Sequence, residues 1–344
     1  MRLLNATSQP PQFDVFYGDQ PPYAILSHTW GNTHEEATFQ DLRDGTGVDK
    51  PGHRKIKACC DQAVRDGLRY VWIDTCCIDK TNSVELQEAI NSMFTWYKDS
   101  AVCYAHLSDY EDRDRFVFDV EEFKSSKWFT RGWTLQELIA PSKVVFYGRD
   151  WKSLGDRTEL CDPISTSTRI NREVLSGQDL EKSSIAQRMS WASMRTTTRA
   201  EDIAYCLLGI FGVHMPLIYG EGGIQAFIRL QKQIMEESDD HSLFAWKQDG
   251  GFQGHGLLAT SPALFAESLS VVRRGHAKSK SAYKMTNRGL EIQLPLTCGL
   301  SGGDQLAILD CVDVEGNSEI GIYVTLLGHV LTNSLEPQSF TGGP

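Results

Sequence analysis

The stretch KIKACCDQAVRDGLRYVWID, residues 55–74, decides the fold class. Its first part places Ile56, Cys59, Cys60, Ala63, Val64 and Leu68 at three- and four-residue spacing. That is the period of one buried helix face, and Gly67 marks the helix end. The second part, residues 70–74, is an apolar run with no polar alternation. This suits a strand covered on both faces, as in a parallel sheet. Working outward, YAILSHTWG (23–31), AVCYAHL (101–107) and KVVFYG (143–148) read as further strands. SVELQEAINSMFTWYKDS (83–100) and WTLQELIAP (133–141) read as the helices between them. Strand and helix alternate throughout, so the expected fold is α/β, a parallel sheet flanked by helices. The acidic segment 109–123 reads as an inserted surface loop or lid.

The second half changes character. Residues 185–238 carry helical patterns, joined in part by the glycine-rich YGEGG (219–223). From residue 243 short strands and glycine turns dominate, and the last twelve residues, 333–344, read as a frayed tail. The expected organisation is therefore an α/β domain over 1–155, a helical extension over 156–242 and a β-rich region over 243–344.

The chain has 344 residues, 41% hydrophobic and 23% charged, values that suit packed globular domains. A net charge of -11 argues against a nucleic-acid partner, which requires clustered Lys and Arg. No apolar run is long enough to span a bilayer, and the first residues lack a signal-peptide core, so a cytoplasmic location is expected. Nine cysteines, including the vicinal pairs Cys59-Cys60 and Cys76-Cys77, lack metal-site spacing and read as buried reduced thiols; no metal is expected.

In open parallel sheets ligands bind outside the carboxyl ends of the strands. The first strand ends in Ser27, His28, Thr29, Trp30 and Gly31; the second in Asp74 to Lys80; the third in Ser108, Asp109 and Tyr110. Each also has a bland reading. Trp30 is a core candidate or a ligand wall, Asp74 a turn cap or a site residue, and His28 a ligand contact, a base or a satisfied loop histidine. Thr134-x-x-Glu137 has the form of a capping box, with Glu137 folded back on the helix start. Cys76 or Cys77 paired with His28 would make a cysteine hydrolase, but no such signature surrounds them. YGEGG has no Lys-Ser/Thr after it and is not a phosphate-binding P-loop.

The motifs AILSHTWG (24–31), YVWIDTCCIDK (70–80), INSMFTWYKDSAVCYAHLSDY (90–110) and WFTRGWTLQELIAP (128–141) resemble, in order and spacing, those of HET domains. These are the cell-death modules of heterokaryon incompatibility in filamentous fungi. Residues 188–246 resemble the extension that often follows this domain. Residues 133–138, WTLQEL, are similar to the plant TIR pattern Trp-Cys-Leu-Asp-Glu-Leu, whose glutamate is catalytic for NAD cleavage; by that match it falls on Glu137. The resemblance implies a TIR/flavodoxin-like sheet and a cell-death effector of vegetative incompatibility or innate immunity that hydrolyses NAD at the nicotinamide–ribose bond. It implies Glu137 as the catalytic residue and a pocket lined by Ser27, His28, Trp30, Gly31, Asp74 and Trp133. NAD or a related nucleotide would be the substrate, with no resident cofactor. A homo-oligomer on activation and a regulatory partner protein are also implied. The alternative left open is a non-catalytic signalling module that triggers death by self-association and recruitment.

Overall fold

The computed structural model describes residues 1–111, 118–247, 256–274, 283–287, 289–297, 304–327 and 330–341. The chain divides into two compact units, Met1–Gln178 and Asp179–Pro344. The boundaries expected after residues 155 and 242 lie inside these units.

In the first unit the elements follow in the order β1 (Arg2–Asn5), β2 (Gln12–Val15), β3 (Tyr23–His28), α1 (Phe39–Asp44), α2 (Pro51–Arg65), β4 (Tyr70–Trp72), α3 (Asp74–Cys77), α4 (Ser83–Lys98) and β5 (Val102–His106). Then come α5 (Val120–Ser125), α6 (Thr134–Ile139), β6 (Val144–Tyr147), β7 (Ser153–Asp156), α7 (Cys161–Thr168) and α8 (Arg172–Leu175). The strands form one seven-stranded sheet in the order β2-β1-β4-β3-β5-β6-β7. Its centre, β4-β3-β5-β6, is parallel, and both margins are antiparallel hairpins. The expected α/β architecture is present.

The local reasons are plain in the sequence. All six residues of β3 and all five of β5 are buried, which the uninterrupted apolar runs demanded. Helix α2 buries Ile56, Cys59, Cys60 and Ala63 of the stripe read from the sequence, but Val64 is 47% exposed and Leu68 lies beyond the helix end at Arg65. Helix α4 is capped by Asn82, whose side chain accepts from the Val84 and Glu85 backbone N–H groups. The lid expected over 109–123 falls partly outside the described residues; its end forms α5.

The order of the parallel strands places the site. The chain runs from β3 outward to β4, then back across to β5 on the other side of β3. Connections therefore leave in opposite directions at β3 and β5, the switch point at which open sheets bind ligands. The register aligns the two strand ends there, His28 beside His106.

The second unit contains α9 (Ile185–Ser190), α10 (Asp202–Tyr205), α11 (Leu208–Phe211) and α12 (Gly223–Glu237). Strands β8 (Val271–Arg273), β9 (Lys284–Thr286), β10 (Gly289–Glu291), β11 (Leu296–Thr297), β12 (Asp304–Asp313), β13 (Ser318–Leu327) and β14 (Val330–Thr341) follow. β9 and β10 pair as a hairpin; β11-β12-β13-β14 form an antiparallel sheet, joined by β8 on β12. The segment read as a frayed tail is thus mostly strand β14, paired along β13. The adjacent polar residues Asn333 and Ser334, followed by Glu336 and Pro337, break its alternation and hid the strand from a pattern reading. Asp240, with a wholly buried side chain, accepts from the Ile185 backbone N–H at 2.8 Å and from Arg273 Nε at 2.9 Å, tying helix to sheet. Glu201 holds the YGEGG turn by accepting from Gly220 and Gly222.

Candidate functional site

Glu137 is only 7% exposed, on the short helix α6. It does not sit in a capping box. The helix begins one residue earlier than the pattern suggests, with Trp133 as N-cap and Thr134 already inside. The Thr134 hydroxyl donates instead to the carbonyls of Trp128 and Arg131. Glu137 turns towards the sheet, where its Oε2 accepts from Ser27 Oγ at 2.5 Å. Ser27, the fifth residue of β3, is fully buried and in turn accepts from Trp128 Nε1 at 2.8 Å. Trp128, Ser27 and Glu137 thus form a hydrogen-bond chain that runs from the indole N–H through the serine hydroxyl to the carboxyl group.

This environment sets the ionisation of Glu137. Burial pushes its carboxyl up to about 8 from an ordinary 4.5; Ser27 opposes the shift, Asp74 adds to it, and Arg131 and Tyr97 oppose it. The carboxyl is therefore largely protonated at neutral pH. Tyr97 donates to the Leu26 carbonyl at 2.9 Å and closes the floor behind β3.

A second layer lies nearer solvent. Asp74 opens α3 directly after β4, where Ile73 turns the chain from strand to helix. Its Oδ2 accepts from Trp30 Nε1 at 2.9 Å, and its Oδ1 lies 3.8 Å from His28 Nε2. His28 is held well below its ordinary value, by burial first and then by Lys55, His106, Lys80 and Arg131, so it is a neutral imidazole. Its buried Nε2 has no hydrogen-bond partner among the described residues. Trp30 is 44% exposed, unlike the buried Trp72.

The structure therefore joins Ser27 to Glu137 and Trp30 to Asp74, with the neutral His28 beside Asp74 but not bonded to it. The Gly31 N–H donates to Glu36 Oε1 at 2.8 Å, and Glu36 is paired with Lys55 at 2.7 Å. Trp133 stands at the start of α6, half-buried. Two residues went unselected in the sequence. Trp128 gives no signal, because its contact with Ser27 spans 101 positions. Lys80 stood at a strand's carboxyl end but among several polar neighbours; its Nζ lies 3.5 Å from Asp74 Oδ2.

Cys76 and Cys77 are buried, and burial, helped by its neighbours, pushes the Cys76 thiol well above its ordinary value, so a nucleophilic thiolate is suppressed. Among the described residues no group of three His, Cys, Asp or Glu side chains is arranged to hold a metal ion, and no helix is long and apolar enough to cross a membrane.

Residues 23–123 match the family model "Heterokaryon incompatibility protein (HET)". The chain is also 52% identical over 241 residues to the vegetative incompatibility protein HET-E-1 of Podospora anserina. The chain belongs to the HET family. The HET match takes in β3, β4 and β5 and ends before α6, so Ser27, His28, Trp30, Gly31 and Asp74 fall inside it and Glu137 beyond it. Residues 225–282 match a second family model, the domain of unknown function DUF8212. The alignment with HET-E-1 covers 68% of this chain and 18% of that relative, so the chain spans under a fifth of the relative's length. No solved structure matches the chain.

Proposed function

We propose that this HET-domain chain is a cell-death effector of vegetative incompatibility or innate immunity, and that it acts by hydrolysing NAD at the nicotinamide–ribose bond. The name of the Podospora relative supports the biological half. The chemical half rests on one observation: a buried glutamate, Glu137, delivered to the switch-point end of a parallel sheet and hydrogen-bonded there to Ser27.

The reaction suits one carboxylate. The bond from the ribose anomeric carbon to the ring nitrogen breaks, and its electron pair leaves with nicotinamide, which departs neutral without a proton. The sugar is left as an oxocarbenium ion, as in glycoside hydrolysis. An ionised Glu137 stabilises that charge, most strongly where water is excluded. Water then attacks the anomeric carbon and loses a proton. The raised pKa fits such a cycle: a cationic ring arriving beside Glu137 favours its carboxylate, so binding releases a proton and arms the residue. Trp30 offers a flat face at the rim and Asp74 a counter-charge.

The test is chromatography of NAD mixed with concentrated purified protein. Release of nicotinamide by the wild type, lost in a folded Glu137→Gln variant, is expected. If concentrated protein leaves NAD intact while self-associating, the domain is a recruitment module and the enzymatic reading fails.

A further inference from the structure

In the resting protein the face of Trp30 is not bare. Lys80 Nζ stands 3.7 Å from the centroid of its ring and 3.5 Å from Asp74 Oδ2. The same Asp74 oxygen accepts from Trp30 Nε1 at 2.9 Å, so the carboxylate fixes the plane of the ring and neutralises the cation above it. An aromatic face and a largely covered carboxylate, 18% exposed, are together a receptor for positive charge. Lys80 reaches it from a turn whose backbone is anchored: Asn82 donates to the Asp79 carbonyl, and the Asp79 N–H to Glu85. The four-carbon stem, with the side chain 33% exposed, is the part free to swing away.

We infer that Lys80 is a built-in occupant of a cation subsite formed by Trp30 and Asp74, and that a planar cationic ring binds there by taking its place. A neutral ring of the same shape displaces the ammonium without replacing its charge and leaves Asp74 uncompensated. Asp74 and the face of Trp30 thus select oxidised, positively charged pyridinium rings against neutral ones, and Lys80 is the competitor that either ring must displace. The identity of the ring rests on the NAD reading; the subsite itself does not.

The experiment measures binding of the N1-methylnicotinamide cation and of neutral nicotinamide to the purified full chain, by calorimetry or ligand-observed NMR. Lys80→Met is expected to tighten the cation by about tenfold, the worth of one partly desolvated cation–aromatic contact, and the neutral ring by a similar factor because both displace the same ammonium, whereas Asp74→Asn is expected to remove the preference for the cation. Lys80→Arg, whose guanidinium also covers the ring, is expected not to tighten it. Lys80→Gln serves the same comparison if Lys80→Met does not fold. Cation binding that Lys80→Met leaves unchanged or weakens would mean that Lys80 does not occupy the subsite, and a preference for the cation that survives Asp74→Asn would remove the carboxylate from it; either result overturns the inference. Because binding is read without turnover, a protein that shows this selectivity but leaves NAD intact would retain the subsite and lose only the NAD reading.

Discussion

Glu137 costs the folded protein stability at neutral pH. A buried carboxyl that titrates near 8 instead of 4.5 stays protonated while the unfolded chain ionises. Its contribution is therefore full below the unfolded value and is lost as pH rises from there to about 8. Glu137→Gln keeps an acceptor for Ser27 and has nothing to titrate. It should raise stability at pH 8 by up to about 5 kcal/mol, with little change below pH 4; denaturant melts at the two pH values check this. Since Asp74 pushes the Glu137 carboxyl up, Asp74→Asn should move the lower limb of the kcat/KM–pH profile of NAD cleavage to lower pH. Ser27→Ala removes the acceptor of the buried Trp128 indole and should cost about 1–3 kcal/mol. At this scale Ser27, Asp74 and Trp30 were legible because strand ends are legible. The true state of Glu137 was not. Thr134-x-x-Glu137 has the letters of a capping box, but the Thr134 hydroxyl turns back to the Trp128 and Arg131 carbonyls, six and three residues earlier, and Thr134 lies inside the helix.

Six residues do not make a helix that is stable by itself, so α6 depends on what grips it. The Thr134 hydroxyl holds its beginning. At its end Arg157, 7% exposed, donates from Nη1 to the Leu138 carbonyl at 2.7 Å and from Nη2 to the Ser142 carbonyl at 3.2 Å. Arg157→Leu leaves these carbonyls without that donor and should cost about 1–3 kcal/mol. It should also lower NAD cleavage while the far-ultraviolet spectrum is kept. Helix α2 makes a different demand: a Cβ at Gly52 would stand 2.5 Å from the Ala37 nitrogen and 2.8 Å from the Glu35 carbonyl oxygen. Gly52→Ala should therefore destabilise by about 1–3 kcal/mol through overpacking, read as a lower Tm. The long buried strands and the helices α2 and α4 were legible from periodicity. The marginal strands β1, β2 and β7 were not, because four residues with mixed burial carry no period.

At the scale of the whole molecule, Ser27, His28, Trp30, Asp74, Lys80, Trp128 and Glu137 all belong to the unit Met1–Gln178. A fragment of residues 1–178 should fold and keep the titration of Glu137, visible as its carboxyl resonance moving near pH 8. The measurement that reaches the central claim most directly is nicotinamide release from NAD by the concentrated 344-residue chain, under crowding that favours assembly, with Glu137→Gln alongside. Release by the wild type and none by an equally folded Glu137→Gln is the result expected. Equal release by both proteins, or none by either across that concentration range, would contradict the assignment of Glu137 as the catalytic carboxylate.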